Sequence, residues 1–171
     1  MPLSAGQLPG SRSLSTATAP CAVVAAGAVR VIGVDAGTIV TRALVGEPLR
    51  RDGKSCADPG RDLAKLGVIE RHRGTGRVGV GFAQGFGLQA GALASSHAHD
   101  AHNIVVIGMT DEDMAAAANR LREIGGGQVV VMDGRVIAEL PCPIGGLLSD
   151  LSFEEVAERT RILEEAAGEL G

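Results

Sequence analysis

The sequence predicts an α+β domain, a layered mixed β-sheet with its strands in hairpins, packed against two or more helices. Three observations lead there. Runs rich in β-branched residues come in pairs across turn signals, most plainly in "QVVVMDGRVIAEL", where Asp-Gly is the preferred two-residue hairpin turn. Only two segments carry apolar residues at helical spacing behind a start signal, and that hairpin separates them, which argues against a strict β-α-β-α alternation. Finally, 25 glycines set against 2% aromatic residues suit a sheet with many tight connections and close backbone approaches.

Taken in order, residues 1–28 open with "MPLSAGQLPGSRSLSTATA", which lacks apolar periodicity and cannot bury enough surface to offset its ordering entropy. A flexible leader is expected there, and a single domain over residues 29–171. From Val29, "VRVIGV" and "TIVTRALV" flank "DAG" and read as a hairpin. "DGKSCADPGRD" at 52–62 reads as a loop, and "VIER" as the charged exit of a strand. "RVGVGFAQGFG" reads as a strand with bends, whose glycines let another backbone or a ligand come close. "NIVVIGM" at 103–109 is a short apolar run of the kind buried on both faces. Thr110 then starts a helix with Asp113 as its capping-box partner and a stripe of Met114, Ala117, Ala118, Leu121 and Ile124. The glycines at 125–127 end it. After the Asp-Gly hairpin and "PCPIGG", Ser152 and Glu155 cap a last helix striped by Val156, Leu163, Ala167 and Leu170.

A chain of 171 residues is long enough for one domain with a real core and too short for two of ordinary size. A formal net charge of -4 and the absence of Trp and Tyr argue against nucleic acid, which needs a basic face and stacking platforms. No apolar run approaches the ~18 residues of a membrane-spanning helix, so no membrane partner is expected. Cys21, Cys56 and Cys142 are odd in number and far apart, which argues against a disulfide framework and for a reduced, cytoplasmic setting.

The candidate chemistry gathers in "ASSHAHDAHN", residues 94–103, which holds three of the four histidines. His97 and His99 would share a face of a strand, and His99 and His102 a face of a helix, but no single regular element gathers all three. A loop at the mouth of the "NIVVIG" strand could, and three imidazoles with Asp100 suffice by count for a zinc-type site. The alternative is that one or two of them hydrogen-bond backbone to fix a turn. "ERHRGTG" at 70–76 offers Arg71 to grip a carboxylate or ring acceptor, His72 to exchange a proton near neutral pH, and the N–H groups of Gly74 and Gly76. Its spacing matches neither a Walker A loop nor a dinucleotide fingerprint.

Taken together, "VRVIGVDAGTIVTRALV", "ADPGRDLAKLGVIERHRGTGRVGVGFAQGFG", "SSHAHDAHNIVVIGMTDEDM" and the closing acidic helix resemble the carboxy-terminal domain of bacterial and archaeal adenine deaminase, from about Val29 to Gly171. His99, Asp100, His102 and Asn103 fit the family form "SSVAHDSHN", whereas His97 and Ala101 depart from it; Arg71 and His72 also fit, with Arg73 in place of a glycine. The resemblance implies amidohydrolases that convert adenine and water to hypoxanthine and ammonia. It also implies a metal-bearing (β/α) barrel ahead of this region, with iron or manganese to make the nucleophilic water.

Residues 1–28 carry no counterpart of the barrel's ligands, so the expectation is a chain that binds no metal of its own and is inactive alone. Its implied partner is a barrel domain, docked on an exposed apolar patch. On that reading His99, Asp100, His102 and Asn103 are accessory polar groups, and Arg71, His72, Ser95 and Ser96 are the candidate substrate contacts. Two alternatives stay open: a free-standing module that self-associates or binds adenine without turnover, and an independent metallohydrolase using His97, His99 and His102.

Overall fold

The computed structural model describes residues 27–171. The leader expected over residues 1–28, and Cys21 within it, fall outside the described residues except for Gly27 and Ala28. Ten strands and two helices follow in the order β1 (Val29–Gly33), β2 (Arg42–Gly46), β3 (Leu49–Arg51), β4 (Lys54–Cys56), β5 (Leu63–Ile69), β6 (Val78–Gln84), β7 (Ala92–Ser95), β8 (Ile104–Gly108), α1 (Asp111–Glu123), β9 (Gly127–Met132), β10 (Arg135–Pro141) and α2 (Phe153–Gly168). Eight of the strands form one sheet in the order β10-β9-β7-β8-β5-β6-β1-β2, and β3 and β4 form a separate hairpin. The β1–β6 pair is parallel and the other pairs of the large sheet are antiparallel. This is the mixed sheet with two helices that the sequence predicts.

The period-2 alternation of the central strands sends side chains to two cores. Val106 of β8 and Val129 and Val131 of β9 meet Met114, Ala117, Ala118 and Leu121 of α1 on one face. Ile107 and Val130, their immediate neighbours in sequence, meet Leu163 and Ala166 of α2 on the other. α1 lies over β7, β8 and β9, and α2 over β9 and β10. β8 is therefore buried nearly throughout, as its continuous apolar run predicts.

Both helix starts form where their sequences place them. Ser152 and Glu155 make a reciprocal capping box. Thr110 accepts from the Asp113 amide, but the Asp113 carboxylate does not return to the Thr110 backbone. It accepts from Thr110 Oγ1 at 2.8 Å and, across the domain, from the Gly134 amide at 2.7 Å. The cap thereby ties α1 to the β9–β10 turn, where Asp133 and Gly134 both adopt positive φ.

Three local expectations are corrected. The strand expected over "TIVTRALV" starts only at Arg42: Arg42 donates twice to the Asp35 carboxylate at 2.7 Å and closes a wide loop that leaves Ile39 fully exposed. The segment 52–62 is not wholly loop, because Asp52 and Gly53, both at positive φ, turn β3 into β4. Ala92–Ser95, whose last two residues belong to the stretch 94–103 expected as a loop and whose first two carry no expected element, is a central strand between β9 and β8. Its "ALAS" has no β-branched residue, and its pairing comes from its neighbours rather than from its own propensity.

Candidate functional site

Strand register brings the two polar motifs together. Ile69 at the end of β5 pairs with Ile104 at the start of β8, so the loops 70–77 and 96–103 leave the same end of the sheet. β10 also finishes there, Pro141 pairing with Gly127, and the loop 142–149 that follows lies against the other two.

Arg71 staples the three loops. Its Nε donates to the His102 carbonyl at 2.5 Å and its Nη2 to the Gly145 carbonyl at 2.6 Å, and burial pulls its guanidinium below the ordinary arginine pKa. Gly146, at φ 77°, is glycine of necessity: a Cβ there would run into the Arg71 guanidinium. Ser96, fully buried, donates to the Gly146 carbonyl at 2.5 Å and accepts from the Gly127 amide at 2.7 Å. His72 donates from Nε2 to the Ala101 carbonyl at 2.8 Å, and His97 from Nε2 to the Leu147 carbonyl at 2.9 Å. Because a carbonyl only accepts, both rings carry their proton on Nε2 in these contacts.

The loop 70–77 holds an anion of its own. The Glu70 carboxylate accepts from the amides of His72 at 2.6 Å, Arg73 at 2.7 Å and Thr75 at 3.1 Å, and from Thr75 Oγ1 at 2.9 Å. These donors, the Thr75 and Arg73 amides foremost, lower its pKa from 4.5 to about 2. The turn amides that bind an anion are thus those of His72, Arg73 and Thr75 and not the Gly74 and Gly76 amides that the sequence offers, and the anion is an internal carboxylate. Glu70 was not among the candidate residues, although a carboxylate at the head of a glycine-bearing turn is the signal for such a cap.

The histidines part ways. His97 is fastened to the loop 142–149, while His99 and Asp100 contact one another at the apex, their side chains 87% and 92% exposed. His102 adopts φ 48° and turns inward, its ring edge-on to that of His99 with centroids 5.8 Å apart. His102 Nδ1 and the neighbouring Asn103 Oδ1 are buried with no hydrogen-bond partner among the described residues. Among the described residues no group of three or more His, Cys, Asp or Glu side chains is placed to hold a metal ion. The metallohydrolase set of His97, His99 and His102 therefore does not assemble, and the residues present do not fit an iron or manganese centre.

Nucleophilic chemistry is equally ill served. Ser95 Oγ stands 3.5 Å from His97 Nδ1 and also accepts from the His97 amide at 3.0 Å, a turn-fixing arrangement longer than a working serine-histidine pair. What the seam offers to a neighbour is a braced rim carrying an exposed imidazole and carboxylate. Ser95 also faces a groove of about 490 Å³ between the sheet and α2, lined by Leu66, Leu93, Val105, Gln128 and Leu163 among others. No described helix is long and apolar enough to cross a membrane.

Comparison with known proteins accounts for nearly all of the described chain. A family model for the adenine deaminase C-terminal domain matches residues 38–171. An adenine deaminase of Oleidesulfovibrio alaskensis is 52% identical over 145 residues, which is 85% of this chain but 25% of that protein. The adenine deaminase of Desulfatibacillum aliphaticivorans is 46% identical over 145 residues, 85% of this chain and 26% of that protein. That of Brucella abortus is 50% identical over 147 residues, again 85% of this chain and 25% of the relative. The chain spans about a quarter of the length of the curated relatives it matches. With the family model matched over residues 38–171, the chain belongs to the adenine deaminase C-terminal domain family.

Proposed function

We propose that residues 29–171 serve as the accessory carboxy-terminal domain of an adenine deaminase, an enzyme that turns adenine and water into hypoxanthine and ammonia in the cytoplasm. The carrying observation is one of proportion: 85% of this chain corresponds to only 25% of a deaminase. The chemistry supports it. Displacing ammonia from C6 of a purine at neutral pH calls for a strongly activated water, which a bound metal ion supplies. The described side chains bring no such set together, so iron or manganese is assigned to the rest of the enzyme and the domain alone is inactive.

On this reading Arg71, Ser96, His72 and His97 hold the rim in shape, and His99 and Asp100 meet the partner domain or its substrate. His102 Nδ1 and Asn103 Oδ1, buried without a hydrogen-bond partner among the described residues, await partners from across that contact. The test is complementation. A relative's deaminase shortened by its matching quarter is mixed with this chain and adenine hydrolysis is followed; recovered turnover supports the reading, and no recovery with no complex in a sizing experiment defeats it. Saturable binding of adenine by the lone chain, lost in His99→Ala, would favour a free-standing purine-binding module instead.

A further inference from the structure

The sheet is unevenly covered, and the bare part is apolar. On the α2 side, register places Leu66 and Val68 of β5 beside Gly81 and Gly79 of β6, then Arg30 and Ile32 of β1 beside Val45 and Ala43 of β2; only the far ends of β5 and β6, at Ala64 and Ala83, are buried in the α2-side core with Leu88 and Leu170. Val45 is 75% exposed, Ile32 44% and Val68 36%. Arg30 is the one charged side chain these strands send to that face among the described residues. Single exposed apolar residues are ordinary, but a contiguous field of them marks an interaction surface.

The glycines make the field receptive. A Cβ on Gly81 would meet nothing within 4 Å, and one on Gly79 only the Val68 carbonyl at 3.9 Å. Neither glycine is demanded by packing inside the domain, and both leave the β6 backbone open to close approach. The field continues into the groove beside α2, where Leu66, Leu93 and Val105 form the floor and Phe86 stands at the side. The free edge of β2 adjoins it; β10, the opposite edge, is disrupted by a bulge between Val136 and Ala138 and ends on Pro141.

Chain direction says what arrives here. β1 runs parallel to β6, so the polypeptide enters the sheet at the end where β6 begins, which is the end bearing the polar loops. Twenty-six residues of this chain precede the described part, and in the relatives the matched quarter is a C-terminal domain. Whatever precedes the domain is delivered to the bare strands.

Resting on the function proposed above, we infer that the uncovered α2-side face of β5, β6, β1 and β2, with the adjoining groove, is the seat of the catalytic polypeptide that precedes this domain. The occupant presents an apolar, backbone-close surface, with an acceptor for Arg30. The seat places the rim of His99 and Asp100 at the border of the same contact.

Thiol labelling tests it. Val45→Cys and Val68→Cys are made in a Cys21→Ser, Cys56→Ser background, with Phe153→Cys on the first turn of α2 as an exposed control. Each is labelled in the 171-residue chain and in a chimaera, in which residues 29–171, β1 included, replace the matching quarter of the Oleidesulfovibrio alaskensis enzyme. At least tenfold slower labelling of Cys at 45 and 68 in the chimaera, with the control unchanged, is the expected result. An active chimaera that labels as fast as the lone chain overturns this inference and leaves the proposed function standing. An inactive chimaera with unprotected thiols overturns both. Protection already present in the lone chain overturns it as well: if it depends on concentration the occupant is a second copy, and if not it is the chain's own first 26 residues.

Discussion

The two halves of the sheet answer to different demands. Strands β10, β9, β7 and β8 lie between α1 and α2, and their residues Ala92, Val106, Val129, Val130 and Val131 are at most 2% exposed. Strands β5, β6, β1 and β2 bury a small cluster of Val31, Leu63 and Phe82 on one face; on the other they bury Ala64 and Ala83 at one end and leave Val68, Ile32 and Val45 open. Apolar burial is the main favourable term in folding, so the covered half carries the stability of the domain while the open half is available for association. The polar loops sit where the two halves meet, held by hydrogen bonds rather than by packing.

That division predicts a steep contrast in stability. Met114→Ala and Leu121→Ala empty fully buried positions under α1 and should each cost ~2–5 kcal/mol, whereas Val45→Ala on the open face should stay within about 0.5 kcal/mol. Urea unfolding of the three variants checks it, and comparable losses on both sides would erase the distinction.

The braced loops come next in size. Arg71→Ala removes two charge-assisted bonds and leaves the His102 and Gly145 carbonyls without their donor, a loss of about 1–3 kcal/mol. Hydrogen exchange should quicken in 97–103 and 143–147 and stay unchanged in β9. Arg71→Lys should not restore protection, since one ammonium cannot reproduce the planar fork.

A smaller effect is expected at the start of α2. Ser152→Ala removes the side-chain half of a capping box, the acceptor of the Glu155 amide, and keeps the residue-152 amide that donates to Glu155; it should cost about 1 kcal/mol. The open strands should show no change in exchange, because α2 does not cover them.

Acid is the mildest probe. Glu70 is held near pKa 2 against an ordinary 4.5 by its turn amides. A depressed carboxylate adds stability that is complete above pH 4.5 and fades as pH falls towards 2. Glu70→Gln should therefore lower stability by a constant amount above that window and converge with the parent curve as pH falls through it, flattening the decline. An unchanged acid profile would show that the cap contributes nothing.

Local sequence made some of this legible. The Asp133–Gly134 turn, both helix starts and the stripe of α1 are written in residues a few positions apart, and the structure has them there. β7 was not legible because its small residues owe their strand to β8 and β9, and the β3–β4 turn was passed over although Asp52–Gly53 repeats the same signal. The two polar motifs were picked out by composition, yet the duties of their members depend on who faces whom across the fold. Arg71 and Ser96, picked from sequence as candidate substrate contacts, make hydrogen bonds between loops in the structure, and the three histidines that share ten positions point three ways. Nothing local distinguishes an open sheet face from a covered one, since both follow the same alternation.

The most direct test of the account is ammonia release from adenine by the purified 171-residue chain, supplied in turn with iron(II) and manganese(II). The account predicts no release above that of a mock purification. Sustained turnover that co-purifies with the chain and falls in His99→Ala or His102→Ala would place the hydrolytic centre inside this domain and contradict it.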